Sequence, residues 1–433
     1  MSQDASRGLA GRLLDRAAPP ALGGSFRWLF GSHLAANLGD GILLSAGPLL
    51  VTTLTRDPFA VSLAVFVQWL PGVIVGMPAG AIVDRVDRRR LTIVVNLLRA
   101  IVLTVLASTI ATGVVSLPIL YGALFVLASA ESFSDNAGSA LIATTVPKSG
   151  LGVANARLTG ARIVANDLAG PPIGAFLFGA GMAAPFAADA ILVMAAALLI
   201  GRMAAPAFSP APPEERHLRR EIAEGVRWLW HHPPVRALAL TIFFFNVTFG
   251  AAMSVYVLLA TERLGLNEVG YGLLITASAI GGLIGSAGYP ALERRFALAT
   301  LMRVGLAIET TTHIVLATTT SALVAGGMML VFGIHEVVWG TTSTTIRQRT
   351  VPASLLGRVG SVYMLAGLGG LVIGAPIGGL LAQQFGLTAP FWFGGIGSAI
   401  LLALIWRTLD DIAHAPAGDE EEPATEHATI ATS

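Results

Sequence analysis

Glu131 and Asp135 stand four residues apart in a run, 117–146, that is otherwise mostly apolar. On a helix that spacing puts both carboxyls on one face. Asp40 lies in a second apolar run, one helical turn after Asn37, and His335-Glu336 lies in a third. A carboxyl shut away from water favours its neutral form, and opening to water restores the charge. Acids placed this way therefore suit proton uptake and release. Arg99 offers a plainer reading, a fixed strut paired with Asp135. Asp189, early in its run, reads as an acid complementing a helix dipole, and Arg162 and Asp167 read as a pair. His335-Glu336-Val-Val-Trp339 begins like a zinc-protease motif, but Trp339 stands where the second His is required. No P-loop and no cysteine occurs, so ATP-driven pumping, thiol catalysis and Cys-type metal sites find no support. No catalytic residue, metal site or cofactor is expected beyond the proton as coupling ion.

The elements that carry these residues are membrane spans. The chain is 54% hydrophobic and 12% charged, with a mean hydropathy of +0.72. Soluble domains carry about 25% charged residues, so lipid must be the solvent for much of this surface. Apolar runs of about 20 residues, the length that crosses a bilayer, recur six times between 28 and 204 and six times between 235 and 407. A charge inside such a span costs about 2.5–3.5 kcal/mol, which makes each one a functional candidate.

The sequence divides into a cytoplasmic tail (1–25), a six-helix bundle (26–204), a linker with an amphipathic helix (205–234), a second bundle (235–408) and an acidic tail (409–433). Of the 27 Lys and Arg residues, Arg56 and Arg263 alone fall in the loops of one side, while Arg99, Arg162 and Arg303 lie inside spans. The rest gather on the other side, which places both termini in the cytoplasm and the protein in the plasma membrane. A shift of 205 residues sets Glu131 on Glu336, Val146-Pro147 on Val351-Pro352, Pro171 on Pro376 and Arg89-Arg90 on Arg294-Arg295. Six spans separate the matches, so the halves are parallel repeats with a site between them. The pseudo-twofold then predicts Glu131 and Glu336 on opposite walls of one cavity, with His335 turned about 100° away.

Gly80-Ala-Ile-Val-Asp84-Arg-Val-Asp-Arg88-Arg89-Arg90 resembles the signature loop of the major facilitator superfamily, with Asp87 where glycine is commoner. Phe26 to Asp40, Val146 to Ala156 and Glu224 to Pro233 resemble its drug:proton antiporter branch, which includes macrolide and enterobactin exporters. The resemblance implies an all-α fold of twelve transmembrane helices in two six-helix bundles, and efflux driven by proton influx. It implies a gate in which Asp84, with Gly80, Arg88 and Arg89, meets the start of span 11 near Arg358. It places spans 3, 6, 9 and 12 outermost, so Glu309 and His313 become a peripheral pair. Spans 5 and 11 become the sliding seam, carrying Gly170, Pro171, Gly174, Pro376 and Gly378. The basic residue usual in helix 4 is absent, and the glycines flanking the helix 5 motif are lost.

The sequence thus predicts a monomeric, non-enzymatic exporter whose partners are a small amphipathic or hydrophobic compound and the lipid bilayer, not nucleic acid. A proton-coupled importer of a metabolite, a lipid-handling membrane protein and a non-transporting sensor are the alternatives.

Overall fold

The computed structural model describes residues 18–83, 85–204 and 218–409. Twelve helical rods account for most of it, and backbone hydrogen bonding within each rod is what hydrocarbon requires. They are α1 (Gly24–Leu54), α2 (Pro58–Ile74, resumed as Gly76–Val83), α3 (Arg88–Ala111) and α4 (Leu117–Thr145). Then come α5 (Leu151–Arg162, the π-turn Ile163–Ala169, and Gly170–Ala180), α6 (Ala184–Gly201), α7 (Pro233–Met253) and α8 (Glu268–Arg295). The last four are α9 (Leu298–Thr318), α10 (Ala322–Thr350), α11 (Leu356–Phe385) and α12 (Ala389–Ile405). Among the described residues, nine helices are long and apolar enough to cross a membrane, and α12 and the first part of α2 are shorter apolar helices. The remaining rod, α9, has the length, but Arg303, Glu309 and His313 interrupt its apolar run.

Short connections with strong caps set the boundaries. Proline enters in the first turn of α2, α4, α6, α7 and α12, where its missing N–H costs nothing. Asp87 explains the departure in the signature loop: its carboxylate accepts the Arg90 amide at 3.1 Å and caps α3.

Each half repeats the same packing. In the first, α1 lies on α5, α2 on α4 and α3 on α6; in the second, α7 lies on α11, α8 on α10 and α9 on α12. Across the halves α2 meets α11 and α5 meets α8, the exchange a pseudo-twofold demands. These contacts run along Pro58–Ile74 and Ile163–Ala180; Gly76–Val83 and Leu151–Arg162 make few if any. The halves therefore touch at the end away from the linker and part at the linker end.

The seam uses other residues than the sequence suggested. Gly170 and Gly174 press on α1, at Gly41 and at Ile42-Ser45, and Gly378 presses on Ala251 of α7. Those are contacts within a half, made because only glycine lets two backbones approach so closely. Between halves, a Cβ added to Gly272 would stand 2.8 Å from Ala175 Cβ and 2.9 Å from the Pro171 carbonyl oxygen, and one on Gly379 would meet Ser62 and Phe59. Pro171 does reach the seam; Pro376 sits half-buried inside α11.

The segment before α1 is anchored at two residues. Ala18, Leu22 and Phe26 are buried against Val146, Ala154 and Leu158, so the first bundle begins earlier than expected. Within the linker, helix Leu218–His231 lies on α11, with Leu229 buried beside Val235, Val351 and Val359. Residues 1–17, 205–217, the acidic tail from 410, and Asp84 lie outside the described residues.

Candidate functional site

The N-terminal half gathers charge at mid-depth. Asp40 sits midway along α1, Arg99 midway along α3, and Glu131 midway along α4. The Arg99 guanidinium donates through Nη2 to Asp40 Oδ1 and pairs with it. The strut is therefore Arg99–Asp40, not Arg99–Asp135; α3 and α1 bring these two side chains together, and helical spacing within one span could not reveal it. Glu131 faces Asp40, Arg99, Asp135 and Asp189, and Asp135 faces Asp40, Arg99 and Arg162.

Exposure falls steadily across this group. Asp135 is exposed and Glu131 half-buried, the Asp40 side chain is 15% exposed and that of Arg99 2%, and Asp189 is fully buried. A cavity of about 60 Å³ touches Asp40, Arg99, Glu131, Gln68 and Asn166. That volume admits a few waters and is far below the 300 Å³ or more of a drug-sized pocket. The cluster therefore has room for water and not for a drug-sized molecule.

Several residues stand elsewhere than expected. Asp189 is no dipole complement: it lies against Gly39, where even a Cβ would collide with its carboxylate. Asn37 spends its amide on the His33 carbonyl at 2.8 Å and makes no recorded bond to Asp40. Sequence reasoning missed His33, Gln68 and Asn166. His33 Nε2 lies 3.1 Å from the Leu158 carbonyl oxygen, and its i, i+4, i+7 spacing with Asn37 and Asp40 was the available signal. Arg162 and Asp167 do pair, at 3.3 Å.

The C-terminal half builds a different cluster. Glu309 Oε1 accepts from His313 Nε2 at 2.8 Å, and Glu309 Oε2 lies 3.7 Å from His335 Nε2, a Coulombic contact too long for a hydrogen bond. All three are buried, so Glu309 and His313 are core and not peripheral, and His335 belongs to them and not to the cavity. Phe245, Phe332 and Trp339 surround the His335 ring. Glu336 points the other way and stays exposed. Its charged surroundings are His335, Glu309 and, from the other half, Asp167.

The ends differ as well. Away from the linker, Arg56 Nη1 bonds Glu262 at 3.2 Å and Gln383 Nε2 donates to Asp57 Oδ1 at 2.8 Å, both across the halves. A cavity of about 520 Å³ opens there, lined by Thr52, Arg56, Glu262 and Asn267 and remote from the carboxyl cluster. At the linker end Arg358 bonds Glu224 of the linker helix at 3.0 Å, so in this form the linker holds the residue expected to meet Asp84. Arg89 donates to the Ile200 carbonyl at 3.1 Å and to that of Gly201, capping α6. A Cβ on Gly80 would stand 3.6 Å from Asn136 Oδ1, and Arg88 begins α3.

Known proteins resemble this chain throughout its length. A family model described as "Transmembrane secretion effector", within the major facilitator superfamily, matches residues 17–427. The multidrug efflux pump Tap of Mycolicibacterium fortuitum is 28% identical over 408 residues, covering 87% of this chain and 95% of Tap. Among solved structures, a bacterial homologue of the iron transporter ferroportin, inward-facing, superposes with a TM-score of 0.73 at 15% identity, covering 89% of this chain and 98% of the other. A bacterial homologue of the lysosomal transporter Spinster, inward-facing and unoccupied, gives 0.70 at 15% identity, covering 92% and 100%. At such identities these structures speak for the fold alone. With its family model spanning nearly the whole chain, this protein belongs to the transmembrane secretion effector family of the major facilitator superfamily, and is a multi-pass membrane transporter, not an enzyme.

Proposed function

We propose that the protein exports a small amphipathic or hydrophobic compound in exchange for protons, which it carries on Glu131 and Asp135 beside the Arg99–Asp40 pair. One observation carries the reading: four carboxyls gather around Arg99, with Arg162 near Asp135 alone among them, in a site that opens through Asp135 on the space between the halves. An uncompensated buried charge costs several kcal/mol. Arg99 offsets one carboxylate, so the others are stable when closed off only if they bind protons, and they can shed them when water enters. Export, and not import, is supported by the likeness to a multidrug efflux pump. The crowding of Lys and Arg at the linker end supports placing that end and both termini in the cytoplasm. In this reading protons loaded from outside arrive in the form described here, open at the linker end, and leave before cargo binds.

Inverted membrane vesicles with an acidified lumen and a pH dye test this. A panel of toxic lipophilic compounds that inhibit a deletion strain is added to vesicles with and without the protein. Proton release triggered by compounds of this panel, and only with the protein present, is the expected result. Uptake of a compound with no accompanying proton release would reject antiport.

A further inference from the structure

Asp189 has no place in that mechanism as stated, yet its surroundings are unusual. Both carboxyl oxygens are buried and make no hydrogen bond, and the residue has no exposed surface. Its charged neighbours are Arg99 from α3, Asp40 from α1 and Glu131 from α4. Arg99 Nε is also buried without a partner, while Nη2 is engaged by Asp40. Gly39 leaves the space that the Asp189 carboxyl occupies. An orphaned acceptor and an orphaned donor, sealed within Coulombic reach of each other, mark a contact prepared but not made. An ionised carboxylate with no hydrogen bond would cost several kcal/mol in such surroundings, so the neutral acid fits this form.

We propose that Asp189 is a second seat for the Arg99 guanidinium, and that Arg99 alternates between Asp40 and Asp189 during transport. The inference rests on the proton-coupled reading and supplies its missing step. In the form described here Arg99 pairs with ionised Asp40, and Asp189 holds a proton. In the other form Arg99 pairs with ionised Asp189, and Asp40 holds the proton. The proton that leaves the Asp189 oxygen is the one that Asp40 gains, so none is needed from outside and Arg99 stays cationic throughout. What changes is where the positive charge lies. Seated on Asp40 it stands beside the cavity; seated on Asp189 it is withdrawn to the sealed side. Glu131 and Asp135 then lose their nearest cation, and protons from the cavity replace it as the neutralising charge. Without Asp189, protonating Asp40 would leave a buried guanidinium unpaired, a state costing several kcal/mol.

Infrared difference spectra of the purified protein in lipid nanodiscs, labelled with carboxyl-¹³C aspartate, read the exchange directly. At neutral pH the wild type should show the carbonyl stretch of a carboxylic acid that makes no hydrogen bond, shifted by the isotope and absent from Asp189→Asn. In Asp40→Asn, or Asp40→Ser if the first does not fold, Arg99 is released to Asp189 and that band should disappear. Gly39→Ala, which crowds the Asp189 carboxyl, should shift the band while Asp40 is intact. A band that survives both substitutions of Asp40, or a wild-type spectrum that loses nothing in Asp189→Asn, overturns the proposal. The spectra need no cargo. Bands behaving as stated while every compound fails to release protons would count against antiport and leave the exchange standing.

Discussion

In the N-terminal half four carboxyls crowd around Arg99, and exposure declines from Asp135 through Asp40 to Asp189. In the C-terminal half Glu309 lies between His313 and His335; all three are buried, and aromatic rings surround His335. The helix packing of the two halves is the same, so the backbone does not make the difference; the balance of charge and the access of water do. The second cluster sets one carboxyl against two imidazoles, with none of the three open to solvent. Arg99 pairs with one carboxylate of the first, and in the proton-coupled reading proposed above the others draw protons from the space between the halves. In that reading a duplicated scaffold has one half that titrates and one that holds its shape.

Substitutions can break this comparison at several points. The largest effect belongs to Arg99→Ala, which leaves Asp40, Glu131 and Asp189 without their guanidinium and should destabilise the protein by about 3–5 kcal/mol. Thermal unfolding in detergent should show the loss, and adding Asp40→Asn should recover much of it; no recovery would mean that the pair is not the reason for the cost. Next, Glu131→Gln should reduce compound-triggered proton release in inverted vesicles to background with the unfolding temperature unchanged. Coupled flux at the wild-type level would remove Glu131 from the mechanism. Glu309→Gln should do the converse, costing about 1–3 kcal/mol for a buried charged hydrogen bond while proton release persists; lost coupling in a stable variant would erase the distinction between halves. Smallest is Arg56→Ala, at the far seam. The Arg56 side chain is 80% exposed, and such pairs contribute about 0–1 kcal/mol, so unfolding should barely move.

Much of the fold was legible because a bilayer leaves so few choices. Apolar runs, the asymmetric Arg content and one offset of 205 residues determined twelve rods and two halves. Glu131, Asp135 and Asp40 were legible as well, since a carboxyl in an apolar run is conspicuous on its own. What the sequence hid was partnership across helices. Asp40 and Arg99 are 59 residues apart, and no periodicity within a span says which neighbour a side chain meets. Asp189 was misread because a position early in a helix invites a dipole explanation; the better clue was Gly39, beside Asp40, which clears room for a carboxyl. Glu309 was misread because an outermost helix was assumed to turn its polar face away from the core. Gly170, Gly174 and Gly378 were placed at the seam, yet close approach of backbones is as necessary between α1 and α5 as between halves.

The central claim is that protons on the N-terminal carboxyls, and not on the C-terminal cluster, decide which end of the protein is open. The chain contains no cysteine, so spin labels can be placed with Lys148→Cys and Ala353→Cys, exposed positions at the linker end of the two halves. Their separation, measured by double electron–electron resonance against pH, should shorten as pH rises in the wild type and in Glu309→Gln. In Glu131→Gln it should stay long at every pH. A Glu131→Gln variant that closes with pH as the wild type does, or a Glu309→Gln variant that no longer does, would contradict the account.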